Sequence, residues 1–405
     1  MTPSSQRSSS SENPSDFPWP ALIVLSAAVF MTITAEFLPT GLLPEMSRSL
    51  EVSEAQIGLL VTIFAGTVVV SSIALTALTR RFSRKLLLLV ALAVMSLSNV
   101  VGALAPDFDV LIGARVLGGI AHGLFFSLAN AYASYMVAPQ KLGKAIAVLN
   151  TGGTMAFVMG VPLGTAVGNA VGWRWATATV AVAVAMLLLL MALFLPTVKY
   201  PSVSHEPGVS RSPLKDPSLP AVLAASLIVV LVMAGHNAFY VYIAPFLIDS
   251  AGFSVSSVSL LLFLYGGAGA LGVVFAGIAG DRAPHAGLIA MIVTAGLGMV
   301  GLTLTTEIPP ALIALLVIWA AAFGGLPPLV QLRALRASSV PLRDVTGSIL
   351  VTAFNIGIGG GALLGAVLFD VVGVAFLALI GAGILGLGLI VTLLSRPPAP
   401  VPSGE

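Results

Sequence analysis

The chain has 405 residues, 58% of them hydrophobic and 8% charged, with a formal net charge of +2 and no cysteine. A soluble domain carries roughly 25% charged residues, so a chain this apolar cannot cover itself with polar surface, and its solvent is lipid. Lack of cysteine excludes disulfides, thiol catalysis and thiolate-held metals, and so small a net charge gives nucleic acid no electrostatic footing.

In chain order, residues 1–19 are rich in Ser and Pro and are predicted to be a disordered tail. The apolar run behind them is too long for a signal-peptide core and has no clean cleavage site after it, so it reads as a retained helix. A membrane-spanning helix needs about 20 apolar residues. Twelve runs qualify: 20–44, 55–78, 86–105, 110–136, 143–168, 174–196, 219–247, 256–280, 286–305, 309–329, 345–369 and 373–394. None alternates as barrel strands do. Residues 197–218 are polar and Pro/Ser-rich and read as a linker. The expected fold is all-α and polytopic. It has an N-terminal bundle over 20–196, a C-terminal bundle over 219–395 and a short tail over 396–405.

Lys and Arg sit almost entirely on one side of this topology. With the N-terminus in the cytoplasm, the inner segments hold Arg7, Arg80, Arg81, Arg84, Lys85, Lys141, Lys144, Lys199, Arg211, Lys215, Arg282, Arg333, Arg336, Arg343 and Arg396, whereas the outer loops hold Arg48 and Arg174. The positive-inside rule therefore predicts both termini in the cytoplasm of a bacterial inner membrane.

The halves resemble each other at one offset. Pro20-Ala21 matches Pro220-Ala221 at 200, while Ser53, Leu59-Leu60, Gly66 and Arg81 match Ser254, Leu260-Leu261, Gly267 and Arg282 at 201. Gly160, Gly164 and Gly172 match Gly361, Gly365 and Gly373, also at 201. Two six-span halves starting on the same side imply a parallel repeat about an axis along the membrane normal. Glycines four apart, as at Gly160 and Gly164 beside Pro162, and at Gly361 and Gly365, make faces on which helices pack closely. Such a face serves static packing, a contact that slides, or both.

Several segments carry a family resemblance. TAEFLPTGLLPEM (34–46), ARVLGGIAHG (114–123), GVPLGT (160–165) followed by GWRW (172–175), YVYIAPFL (240–247) and GIAGDRAPH (277–285) together resemble the major facilitator superfamily over nearly the whole chain. The first half is most similar to the twelve-span drug:proton antiporters, among them bacterial sugar, purine and chloramphenicol exporters. The resemblance implies that Gly277, Asp281 and Arg282 form a conformational latch, with Arg81 in the first-half counterpart, where Thr76 and Arg80 replace the motif's Gly and Asp.

Ionisable residues inside spans are costly and are functional candidates. Glu36, Arg115, His122 and His236 are the clear cases. Counted from a span end at Pro44, Glu36 lies about 12 Å from the outer face, and Arg115 about 8 Å. Pairing is favoured at such similar depth, and Glu36 is read as the coupling carboxyl with Arg115 tuning its proton affinity. The alternatives are a static pair or a snorkelling carboxylate. Arg115 has Leu316 at its repeat position, an asymmetry that favours a functional role. His236 occupies the repeat position of Glu36. His122 lies two turns from Arg115 and is read as a relay, a substrate donor or a helix–helix tie. Phe125, Phe126, Asn237, Tyr240, Tyr242, Tyr265 and Asn355 are candidates for lining a mostly apolar cavity, or for ordinary packing. Trp19, Trp173 and Trp175 read as interfacial anchors.

No phosphate-binding loop and no metal-ligand motif occurs, so neither an ATP-driven pump nor a membrane metalloenzyme is expected. The expectation is a monomeric secondary transporter, not an enzyme. It would use the proton gradient and no cofactor to export a small, largely apolar drug or metabolite. A sugar or nucleoside exporter, an uptake symporter and a transport-inactive receptor are the rivals.

Overall fold

The computed structural model describes residues 17–79, 82–138, 141–197, 216–339 and 342–395. Those residues form helices and no strand, and twelve helices are long and apolar enough to cross a membrane. They are α1 (Trp19–Leu50), α2 (Glu54–Leu78), α3 (Arg84–Ala103), α4 (Phe108–Tyr135), α5, α6 (Trp173–Phe194), α7 (Leu219–Tyr240), α8 (Val255–Arg282), α9 (Pro284–Leu304), α10 (Pro309–Ala337), α11 (Arg343–Val372) and α12 (Val374–Leu394). Helix α5 is α-helical over Leu142–Met155, widens to a π turn over Ala156–Gly160 and resumes over Val161–Val171. Beyond α7 come a single turn, Ile243–Pro245, and a second π turn, Phe246–Ser250. Residues 1–16 of the predicted N-terminal tail, the C-terminal tail, most of the linker and Arg81 of the predicted latch lie outside the described residues.

Local chemistry sets the helix ends. Ser53 and Gln56 form a capping box at α2, and Asp107 accepts from the Val110 N–H at α4. Helix α1 continues through Pro39 and Pro44 to Leu50, where Glu51 turns left-handed (φ 54°). It is thus longer than the predicted 20–44, because proline in a packed membrane helix leaves a free carbonyl without ending the helix.

The duplication is visible in helix starts. Trp19 and Leu219, Glu54 and Val255, Phe108 and Pro309, Leu142 and Arg343, and Trp173 and Val374 open equivalent helices at offsets of 200 or 201. Gly172 and Gly373 both take positive φ at the equivalent corner. Packing repeats too. In the first half α1 packs on α5 and α6, α2 on α4, and α3 on α4 and α6; in the second α7 packs on α11 and α12, α8 on α10, and α9 on α10 and α12. The halves meet along two equivalent seams, α2 with α11 and α5 with α8.

The glycine ladders serve packing inside each half. A Cβ at Gly160, Gly164 or Gly168 would run into Thr34, Leu38 or Leu42 of α1. One at Gly357, Gly361 or Gly365 would run into Met233, Ala234 or Ala238 and Tyr242. Lipid gives helices no hydrophobic push together, so backbone closeness and dispersion hold them.

The two ends of the molecule differ. We call the end where α1 starts and α12 finishes the terminal face, and the other the far face. At the far face the halves touch: Asn169 Nδ2 donates to Val255 O (3.0 Å), and the end of α1 packs on Ile243–Pro245. At mid-depth Gly266 of α8 lies against the backbone of Phe157 and Val158 in the π turn of α5. Thr62 Oγ1 donates to Gly359 O (3.1 Å) across the other seam. Towards the terminal face the same helix surfaces lose their cover. Asn150 and Thr151 on α5, Val273 and Gly277 on α8, and Ser348 on α11 are exposed. A cleft between the halves therefore opens at the terminal face and is closed at the far face.

Candidate functional site

Glu36 sits near the middle of α1, seventeen residues from Trp19 and fourteen from Leu50. That is about 21 Å from the far end of the helix, deeper than the 12 Å expected when the span was ended at Pro44. Its carboxylate is buried, and Oε2 lies 3.7 Å from His122 Nε2, longer than an ordinary hydrogen bond. Oε1 has no partner, nor do Thr40 Oγ1 one turn on and His122 Nδ1. The His122 ring is sandwiched, stacking on Phe126 (4.4 Å) and meeting Phe64 edge-on (5.2 Å).

Arg115 does not pair with Glu36 as the sequence led us to expect. Its Nη1 donates to the backbone oxygen of Ala35 (2.8 Å), and its guanidinium lies 6.0 Å from the Phe64 ring centre. The reason lies in α1. The Ala35 carbonyl would normally accept from the N–H four residues on, but that residue is Pro39, which has none. Arg115 fills the vacancy. This also accounts for the one-sided arginine. In the second half the residue matching Pro39 is Phe239, which has an N–H, and Leu316 stands in place of Arg115. The asymmetry read from sequence as favouring a functional role thus has a structural counterpart in the backbone of α1. Arg115 also borders a small crevice of about 20 Å³ inside the first half, lined by Leu38, Met46, Phe64, Ser98 and Asn99 among others.

The second half holds an aromatic box. His236 of α7 stacks on Phe323 (3.3 Å, 5° between planes) and lies 4.8 Å from Tyr240, 5.2 Å from Trp319 and 6.3 Å from Tyr265. Tyr265 is 5.1 Å from Trp319 and 5.0 Å from Tyr240. Asn237 Nδ2 donates to Met233 O (2.9 Å), leaving Oδ1 without a partner. Three aromatics join the centres of the two halves: Phe37 is 5.0 Å from Phe157 and 6.3 Å from Tyr240, and Phe157 is 6.3 Å from Tyr240.

The structure thus brings Glu36, His122, His236, Tyr240 and Tyr265 to the middle of the molecule. Others lie apart. Phe125 is fully buried, edge-on to Phe126. Asn355 Nδ2 donates to Val351 O of its own helix (3.0 Å). Tyr242 donates to Ala362 O (3.0 Å) and covers Gly58 at a seam. Gly277, Asp281 and Arg282 are exposed at the end of α8. That corner is tied to α10 of its own half, where Arg336 donates to Gly280 O (3.2 Å) and Arg333 lies 3.0 Å from His285 Nδ1. Trp173, expected to be an interfacial anchor, is instead buried, and its backbone N–H is held by Glu45 Oε1 (3.0 Å). Trp19 and Trp175 are exposed at helix ends as expected.

Sequence reasoning missed Trp319, Phe323, Phe157 and Phe37. Two signals were available. Trp319 is the one tryptophan in the middle of a span, and Phe323 lies 201 residues after His122.

Two duplicated bundles of membrane helices, with ionisable groups and an aromatic box where they meet, have the form of a polytopic membrane transporter. Comparison with known proteins agrees. The family model of the Major Facilitator Superfamily matches residues 25–254 and 225–405. An uncharacterised MFS-type transporter of Bacillus subtilis (strain 168), YtbD, is 32% identical over 375 residues, covering 92% of this chain and 94% of that protein. Among solved structures, a bacterial homologue of the human lysosomal transporter Spinster superposes with a TM-score of 0.71 at 17% identity, covering 92% of this chain and 96% of that one. The human organic anion transporter MFSD10 (TETRAN) superposes with a TM-score of 0.70 at 16% identity, covering 93% and 100%. The chain belongs to the major facilitator superfamily and is a multi-pass membrane transporter.

Proposed function

We propose that this transporter exports a small, largely apolar drug or metabolite in exchange for protons, by alternating access, as a monomer in a bacterial inner membrane. The observation that carries this reading is Glu36. It is a carboxyl at mid-depth, next to His122 and with one oxygen unpartnered, where the first half meets the aromatic surface of the second. A buried carboxyl is costly to keep in lipid, and a proton that comes and goes with access to either side gives it a use. The Lys/Arg bias puts the terminal face in the cytoplasm, so the cleft described above opens inward. Rocking of the halves about the α2–α11 and α5–α8 seams would expose the same centre outward, and Asp281 and Arg282 at the terminal face would latch the opposite state. The proton gradient supplies the energy, and no cofactor is required.

An anionic substrate, such as the name of the human relative indicates for that protein, is less well served here. Arg115 is engaged by Ala35 O, and the walls of the second-half box are uncharged. A neutral or weakly basic apolar compound suits the walls better. Export rather than uptake follows the resemblance of residues 34–46 to exporters.

The test is flux from proteoliposomes under an imposed pH gradient. Glu36→Gln should lower gradient-driven flux on the order of 100-fold, while substrate exchange at equal pH on both sides survives. Full driven flux in that variant would overturn proton coupling through Glu36.

A further inference from the structure

Three polar atoms of the box around His236 have no partner, His236 Nδ1, Tyr265 OH and Trp319 Nε1, and neither does Oδ1 of Asn237, the next residue on α7. Their residues are 2%, 4%, 0% and 2% exposed, in that order. Leaving one buried polar group unpaired costs about 1–3 kcal/mol, and native proteins keep such groups rare. Four such atoms in and beside a cluster of five rings centred on His236 make a site that awaits hydrogen bonds from something else. The equivalent positions of the first half, Glu36, Phe37, Phe64 and Gly118, build no such box.

The chemistry of the occupant follows from the four atoms. The Trp319 N–H can only donate. Asn237 Oδ1 can only accept, as a carbonyl oxygen carries no hydrogen, and the amide nitrogen beside it donates to Met233 O. The Tyr265 hydroxyl and the His236 ring do either. The ligand edge must therefore offer both an acceptor and a donor. The walls are ring faces, and the 3.3 Å spacing of His236 and Phe323 is that of two flat rings in contact. Phe323 is the half-buried member and so the ring free to swing aside. No Asp, Glu, Lys or Arg side chain lies among these five rings, so a charged ligand would find no counter-ion there.

We propose that His236, Asn237, Tyr265 and Trp319 form a binding box for a flat, uncharged heteroaromatic ring with a hydrogen-bond donor and an acceptor on its edge, admitted by displacement of Phe323 from His236. This names the substrate class for the transport reading above and rests on it. Stacking supplies contact area, and the edge contacts reject apolar rings that would leave the four atoms unpaired.

The test is calorimetric binding to the purified native chain, without a pH gradient, using 4-quinolone, a flat bicycle with one ring N–H and one carbonyl. Naphthalene and glucose are the controls. 4-Quinolone should bind saturably and quench a tryptophan component that is missing in Trp319→Phe. Naphthalene should bind at least about tenfold more weakly, and glucose should not bind. Tyr265→Phe, which removes one oxygen, and Asn237→Leu should each weaken 4-quinolone about tenfold. Absence of saturable 4-quinolone binding, or binding unchanged in both variants, would overturn the box. If Glu36→Gln loses driven flux but the native chain ignores 4-quinolone, the box fails and the transport reading stands. If 4-quinolone binds as stated and Glu36→Gln keeps full driven flux, proton coupling fails and the box stands.

Discussion

The N-terminal and C-terminal halves repeat the same helix contacts, yet their centres carry opposite chemistry. At offsets of 200 or 201, Glu36 corresponds to His236, Phe64 to Tyr265, Gly118 to Trp319 and His122 to Phe323. The first set makes a small cluster with a carboxyl beside an imidazole. The second makes a large aromatic box with unpaired polar edges. A duplicated scaffold fixes where side chains meet and leaves open which ones do. Here the first half has kept its centre small and ionisable, and the second large and ring-lined. On the reading proposed above, the proton would be handled in one half and the substrate in the other.

The sharpest way to break this comparison is to force one centre onto the other. Gly118 stands where the second half has Trp319. A Cβ at Gly118 would lie 2.7 Å from Ser98 Oγ and 3.1 Å from the Phe64 ring. In the second half Gly298 faces Trp319, 3.0 Å from its Cβ position, and makes the room. Gly118→Trp should therefore overpack the first half and cost at least about 3 kcal/mol, seen as loss of the monodisperse peak in size-exclusion chromatography. Adding Ser98→Gly, which copies Gly298, should restore part of it. A well-folded Gly118→Trp protein would show that the two centres tolerate the same filling.

His122→Phe is a gentler exchange, since Phe323 occupies the matching place. The new ring fits between Phe64 and Phe126 as the imidazole does, so the fold should persist. Glu36 loses the imidazole that lies 3.7 Å from its carboxylate. Gradient-driven flux should fall about tenfold, which corresponds to about 1.4 kcal/mol, while 4-quinolone binding in the other half stays at the native value. Equal losses in flux and binding would mean that the two centres act as one site.

Much of this was legible in the sequence. Span number, repeat and offset could be read because lipid imposes long apolar runs and because both Gly172 and Gly373 turn the same corner. Glu36, His122 and His236 stood out because charge and imidazole are rare in such runs. The partner of Arg115 was not legible. Spacing placed it at the depth of Glu36, but the deciding fact was a backbone vacancy made by Pro39, which a search for opposite charges overlooks. Helix rotation was equally hidden in runs of such uniform hydropathy, so Trp319 and Phe323 passed as ordinary apolar residues. Trp173 was misread for a related reason: position at a helix end says nothing about which way the ring turns.

The seams between the halves offer the finest comparison, because they too are equivalent: Thr62 to Gly359 O across α2–α11, and Asn169 to Val255 O across α5–α8. Each neutral hydrogen bond is worth about 1 kcal/mol, so Thr62→Val or Asn169→Ala should raise the population open at the far face about fivefold. The chain has no cysteine, so Val258→Cys, buried beneath the far face, reports that opening through its rate of maleimide labelling in purified protein. If the halves rock as rigid bodies, both seams part together. Either substitution then speeds labelling, and in the double variant the two fold-changes multiply, as their free energies add. If labelling responds to Asn169→Ala alone, the α2–α11 seam stays shut during opening and serves as the hinge. The equivalence of the two seams would then hold in structure but not in motion.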